Sequence, residues 1–173
     1  MNAQPQSGFV TAVGWTFVVL GTLLLCIAVV QNLLFAAFAP FQADIASWEV
    51  FPPSARWVLV NLRWMLLANL ALGVVTIAAS IGLVQRREWA RVVFVALMAL
   101  GVAWNLGVAW LQYDFTSAVQ AEAAASNPAD IGFFAFILVI RVLSFGFATV
   151  FCCLFGWIGY RLLQPDVAAE FQR

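Results

Sequence analysis

The sequence contains no lysine and no histidine, and charged residues make up only 9% of its 173 positions. Without imidazole or a side-chain amine, the commonest general base at neutral pH, the commonest metal ligand and the Schiff-base nucleophile are all missing. General acid-base chemistry is left to carboxylates, and each of these lies outside the apolar stretches. Three cysteines occur, Cys26, Cys152 and Cys153, within apolar runs and without a C-x-x-C spacing. They are expected to be buried small hydrophobes rather than ligands or a redox pair. Formal net charge is zero, and no basic stripe is present, which argues against nucleic acid as a partner. The reading is of a non-enzyme with no catalytic residue, no metal site and no cofactor.

What the chain has in abundance is apolar side chains, 65% of all residues, well above the share in an ordinary soluble domain. They fall into four runs, each long enough to cross a hydrocarbon core of roughly 30 Å as a helix. The expected fold is all-α: a single integral membrane domain over 1–173, built as an antiparallel bundle of four transmembrane helices at about 9–38, 54–84, 88–113 and 128–163. Loops are expected at about 39–53 and 114–127 on one side and at about 85–91 on the other, and Ser117 to Ser126 is rich enough in Ala to prolong the third helix. The second run follows Pro52-Pro53. Asn127, Pro128 and Asp130 give the fourth helix its start, with Asn127 as N-cap. The segment from Met1 to Gly8 lacks the basic n-region of a signal peptide and is expected to precede a retained helix.

Arginine distribution sets the expected orientation, because cytoplasmic loops hold an excess of positive charge near helix ends. The central loop carries Arg86, Arg87 and Arg91, and the end of the fourth run carries Arg161. The other two loops hold Asp44, Glu49, Asp114, Glu122 and Asp130, with Arg56 as their one basic residue. Both termini and the central loop are therefore expected in the cytoplasm, with the chain in the cell inner (plasma) membrane and the lipid bilayer as its first partner. All-Arg basicity and abundant Ala point to a GC-rich bacterial genome. In the first outer loop, Phe41, Ile45 and Trp48 recur at helical spacing, as expected either of an amphipathic segment over 41–51 lying on the membrane or of a loop packed across the bundle mouth.

Four polar residues inside the apolar runs carry the functional expectations. Arg63 and Arg141 are costly at such positions unless they snorkel or find partners. Counted from the inner boundary at Val84 and Arg161 by roughly 1.5 Å per residue, both are expected near the outer boundary at similar heights. There they either reach headgroups or face inward to meet an anion, a lipid headgroup or outer carboxylates such as Asp114 and Asp130. Asn69 and Asn105, each four residues from a glycine, Gly73 and Gly101, are expected at matching depths across the second and third helices. That pattern fits a packing seam closed by an Asn pair, or else the lining of a polar path. Ser80 and Ser144 are expected to bond back to their own helices. A paired Ile-Gly, Ile81-Gly82 and Ile158-Gly159, hints at a duplicated hairpin.

The stretch Gly82-Leu83-Val84-Gln85-Arg86-Arg87-Glu88-Trp89-Ala90-Arg91 resembles the central cytoplasmic loop of small bacterial four-helix inner-membrane proteins of unassigned function. The resemblance covers the second and third helices and their turn, and implies the class without an activity. Two functions are carried forward. One is an accessory, scaffold or assembly subunit of a membrane complex or homo-oligomer, suggested by the small polar content and by aromatic faces rich in Phe133, Phe134, Phe136, Phe145, Phe147, Phe151 and Phe155. The alternative is a small permease or channel component, or a lipid-interacting protein, with Arg63, Arg141, Asn69 and Asn105 around an inner cavity.

Overall fold

The computed structural model describes residues 8–37, 52–126 and 131–171. Among these, four long helices follow one another: α1 (Gly8–Ala37), α2 (Pro53–Val84), α3 (Glu88–Ser126) and α4 (Ile131–Leu163). A short helix α5 (Pro165–Ala168) and a 3-10 turn (Ala169–Phe171) end the described chain, and no strand occurs in it. Each long helix is long and apolar enough to cross a membrane. The third helix runs past Tyr113 without a break, so most of the loop expected at 114–127 is helical. Nothing between Asp114 and Ser126 stops it: the stretch holds no glycine or proline and is dominated by alanine, the best helix former. The amphipathic reading of 41–51 and the capping reading of Asn127, Pro128 and Asp130 lie outside the described residues.

α1 packs along α2, α2 against α3, and α3 along α4. Contacts between α1 and α2 step in opposite directions along the two chains: Gly14 meets Ser80 and Val84, Gly21 meets Ile77, Leu25 meets Gly73, and Asn32 reaches the carbonyl of Leu66. Small residues permit this proximity. A Cβ on Gly14 would stand 2.6 Å from Val84 Cγ2, and one on Gly82 would stand 2.6 Å from the Cβ of Ala90. The second of these holds the start of α3 against the end of α2.

The turn between them is a Schellman closure. Arg87 N–H bonds to Gly82 O and Arg86 N–H to Leu83 O, satisfying carbonyls that the helix end leaves open. Arg86 adopts the left-handed conformation at φ 58, a position usually given to glycine, at a cost of roughly 1 kcal/mol. The side chain it gains there forms an ion pair with Glu170, which ties the turn to the far end of the chain.

That end forms the floor of the molecule. Gln164 is extended and Pro165 opens α5, so the chain leaves the axis of α4 and turns beneath it. Val167 and Phe171, four residues apart, are buried in one cluster with Val10, Leu83, Phe94, Met98, Ile158 and Leu162. The Arg91 guanidinium lies 5.9 Å from the Phe171 ring centroid. Phe17 stacks edge-on against Phe94 and Phe9 against Trp157, so all four long helices meet at this end. Replacing Phe171 by Ala removes an aromatic from the shared core and is expected to lower stability by roughly 3 kcal/mol. Glu170→Ala, which removes one partly exposed ion-pair partner, is expected to cost about 1 kcal/mol or less. Denaturant unfolding in mixed micelles would check the order of the two effects.

Candidate functional site

The polar residues within the helices fall into separate groups. Arg141, on α4, turns toward α3: its Nε donates to Thr116 Oγ1 and its Nη2 to Ser117 Oγ, both at 2.9 Å, and its guanidinium carbon lies 5.0 Å from the Tyr113 ring centroid. One turn further in, Gln112 Nε2 donates to Ser144 Oγ at 2.6 Å. Thr116 is buried, and its hydroxyl also bonds to the Gln112 carbonyl. This ladder of α3–α4 bonds answers the cost of placing a guanidinium between two apolar stretches of a helix.

Arg63 does not join it. It is exposed on α2 and makes no hydrogen bond or ion pair among the described residues. The expectation of equal heights also fails. Ser54 donates to Asp114 and so fixes the register of α2 against α3. Arg141 is bonded just beyond that level, whereas Arg63 lies about nine residues inward along α2, roughly 13 Å. Counting from the inner boundary at Val84 and Arg161 gave the wrong answer because those two points are not level: Gly82, just before the first, lies against Ala90, whereas Gly159, just before the second, lies against Met98, about two turns further along α3.

The asparagine seam is likewise divided. Gly73 lies against Leu25 of α1, and Gly101 against Phe155 of α4, where an added Cβ would meet the ring at 2.9 Å. Each glycine thus serves its own hairpin instead of an α2–α3 seam. Asn105 Nδ2 donates to the carbonyl of Gly101 in its own helix at 2.8 Å, and Asn69 is exposed. The asparagine that does bridge two helices is Asn32, which donates to Ala28 O and to Leu66 O. Ser80 and Ser144 bond back to Thr76 O and Ile140 O, as their positions led one to expect. The cysteines depart from expectation, since Cys26 and Cys153 are exposed and Cys152 is half-buried. In a membrane helix an apolar stretch is covered largely by lipid, so lying within one does not imply burial in protein.

A groove of about 520 Å³ runs between α3 and α4, lined by Leu106, Ala109, Trp110, Tyr113, Phe145, Ala148, Thr149, Cys152 and Cys153. Its walls are almost wholly apolar. A smaller cavity of about 300 Å³ lies between α2 and α3, lined by Ala55, Val58, Leu59, Val108, Leu111, Gln112 and Phe115. Neither contains Arg63, Asn69, Asn105 or Arg141. No family model, curated protein or solved structure matches the chain. Among the described residues no cluster of His, Cys, Asp and Glu is arranged to hold a metal ion.

Sequence reasoning missed two features. Thr116 fell within the expected loop, and the partners considered for Arg141 were the carboxylates Asp114 and Asp130, whereas its guanidinium bonds to the Thr116 and Ser117 hydroxyls. The inward turn of the last segment was signalled only by Pro165 and by Val167 and Phe171 at helical spacing. Because Asn69 and Asn105 share no bond, the double-mutant cycle Asn69→Ala with Asn105→Ala is expected to give a coupling energy below about 0.5 kcal/mol in unfolding measurements. A coupling of 1 kcal/mol or more would mean that the two side chains meet.

Proposed function

We propose that this chain is a multi-pass protein of the bacterial inner membrane that serves as an accessory or scaffold subunit, packing laterally within a homo-oligomer or a larger membrane complex. The observation that carries the reading is the state of α4. Only 6% of its most apolar stretch is buried within the chain, against 22% in α1 and α2 and 17% in α3. Along its outward side Phe136, Val139, Leu143, Phe147, Val150 and Leu154 recur at spacings of three and four, all exposed. This is the pattern by which one helix seats its side chains against another. Gly146, three and four residues from Leu143 and Val150, has nothing within 4 Å of an added Cβ, leaving bare backbone of the kind that membrane helices use for close approach.

In this reading the four long helices form an antiparallel bundle with both termini and the Arg86-Arg87 turn in the cytoplasm, as the arginine distribution supports. The likeness of the central loop to small bacterial four-helix inner-membrane proteins agrees with it. The permease or channel reading expects Arg63, Arg141, Asn69 and Asn105 to converge. Arg141 bonds to α3, Asn105 to its own backbone, and Arg63 and Asn69 are exposed on α2, which favours the accessory reading over it.

The test is isolation of the tagged protein from its native membrane in mild detergent, with native mass measurement. A stoichiometric partner or a defined homo-oligomer is expected, and Gly146→Leu should release it while the helical content stays unchanged. A lone monomer in the wild type would overturn the proposal. For orientation, a cysteine at Glu88 in a background lacking the native cysteines should resist an impermeant thiol reagent added from outside, and one at Ser126 should react.

A further inference from the structure

The α3–α4 groove and the Arg141 cluster occupy one interhelical face. Phe145, Ala148 and Cys152 line the groove on α4, and Arg141 lies one turn before Phe145 on the same side. On α3 the groove ends at Tyr113, and Thr116 and Ser117, which hold the guanidinium, follow within the next turn. An apolar slot therefore runs up to a fixed cation. Arg141 has no carboxylate partner among the described residues, and its guanidinium has more N–H groups than its two hydrogen bonds use. The cation is half-buried, is held in place by α3, and leaves N–H groups open to an anion.

We infer that this face is a binding site for an anionic membrane phospholipid, with one acyl chain lying in the groove and the headgroup phosphate on Arg141. The match is of charge and shape together. A guanidinium takes a phosphate through paired N–H bonds, and the Ser117 hydroxyl, which donates to the Tyr113 carbonyl and accepts from Arg141, holds the guanidinium in place. Below it the slot is lined by Leu106, Ala109, Trp110, Phe145 and Ala148, which suits a flexible hydrocarbon chain better than a polar solute. The outward row of α4 discussed above lies on a different side of that helix, so the site is independent of the proposed lateral contact.

Native mass spectrometry of the purified chain, titrated with phosphatidylglycerol, phosphatidylcholine and soluble glycerol phosphate, tests the inference. Phosphatidylglycerol is expected to bind at least tenfold more tightly than phosphatidylcholine, and glycerol phosphate not to bind measurably. Arg141→Gln should remove the preference for the anionic lipid. Ala148→Phe, which fills the groove and leaves the arginine in place, should weaken both lipids about equally. Equal binding of the two lipids by the wild type, or an unchanged preference in Arg141→Gln with helical content retained, would overturn the headgroup assignment. Unchanged binding in Ala148→Phe would overturn the acyl-chain assignment, and saturable binding of glycerol phosphate alone would show an anion site that needs no lipid.

Discussion

Where α1, α2 and α3 come together the helices approach closely, and they do so through side chains that are absent or nearly so. Gly14 rests against the backbone of Ser80, Gly82 against Ala90, and Ala79 and Ser80 are fully buried between them. Between helices in a membrane there is little hydrophobic gain, because lipid is as apolar as leucine; what remains is dispersion, which falls off steeply with distance. Close approach is therefore the main source of cohesion. The larger side chains Phe94, Leu83, Met98 and Leu162 fill the space around this contact, and the C-terminal segment closes it from below through Val167, Phe171 and the Arg86–Glu170 pair.

The opposite end is organised differently. There the helices are joined by polar bonds placed at intervals: Ser54 to Asp114, Gln112 to Ser144, and Arg141 to Thr116 and Ser117. Such bonds fix register and orientation but do not require dense packing, so apolar grooves persist between α3 and α4 and between α2 and α3. One end is closed by shape and the other by hydrogen bonds. The account of lateral association and of lipid binding rests on this asymmetry, since both draw on surface that the chain does not cover itself.

The helices were legible in the sequence because length and apolar content alone specify them, and the starts and stops at Pro53, Val84, Glu88 and Leu163 fall at proline, at the arginine-rich turn or beside a polar residue. Which faces of those helices meet was not legible. In a membrane protein the lipid-facing and protein-facing sides are both apolar, so the periodicity that reveals a buried face in water carries little information. Gly73 and Gly101 stand out in the sequence, yet the residues they lie against, Leu25 and Phe155, follow from the pairing of α1 with α2 and of α3 with α4. Arg141 was recognisable as a residue in need of partners. Its partners escaped notice because Thr116 and Ser117 follow Asp114, and a charged residue after an apolar run reads as the end of a helix.

Hydrogen exchange, followed by mass spectrometry in lipid nanodiscs, tests the central claim that close packing at the turn end also holds the C-terminal segment in place. Amides of 165–171 should be protected in the wild-type protein. In Gly82→Val, where the new side chain forces α3 away from α2, that protection should fall together with protection around Ala79 to Phe94, while residues 106–125 change little. Free exchange of 165–171 in the wild type, or its indifference to the substitution, would contradict the account.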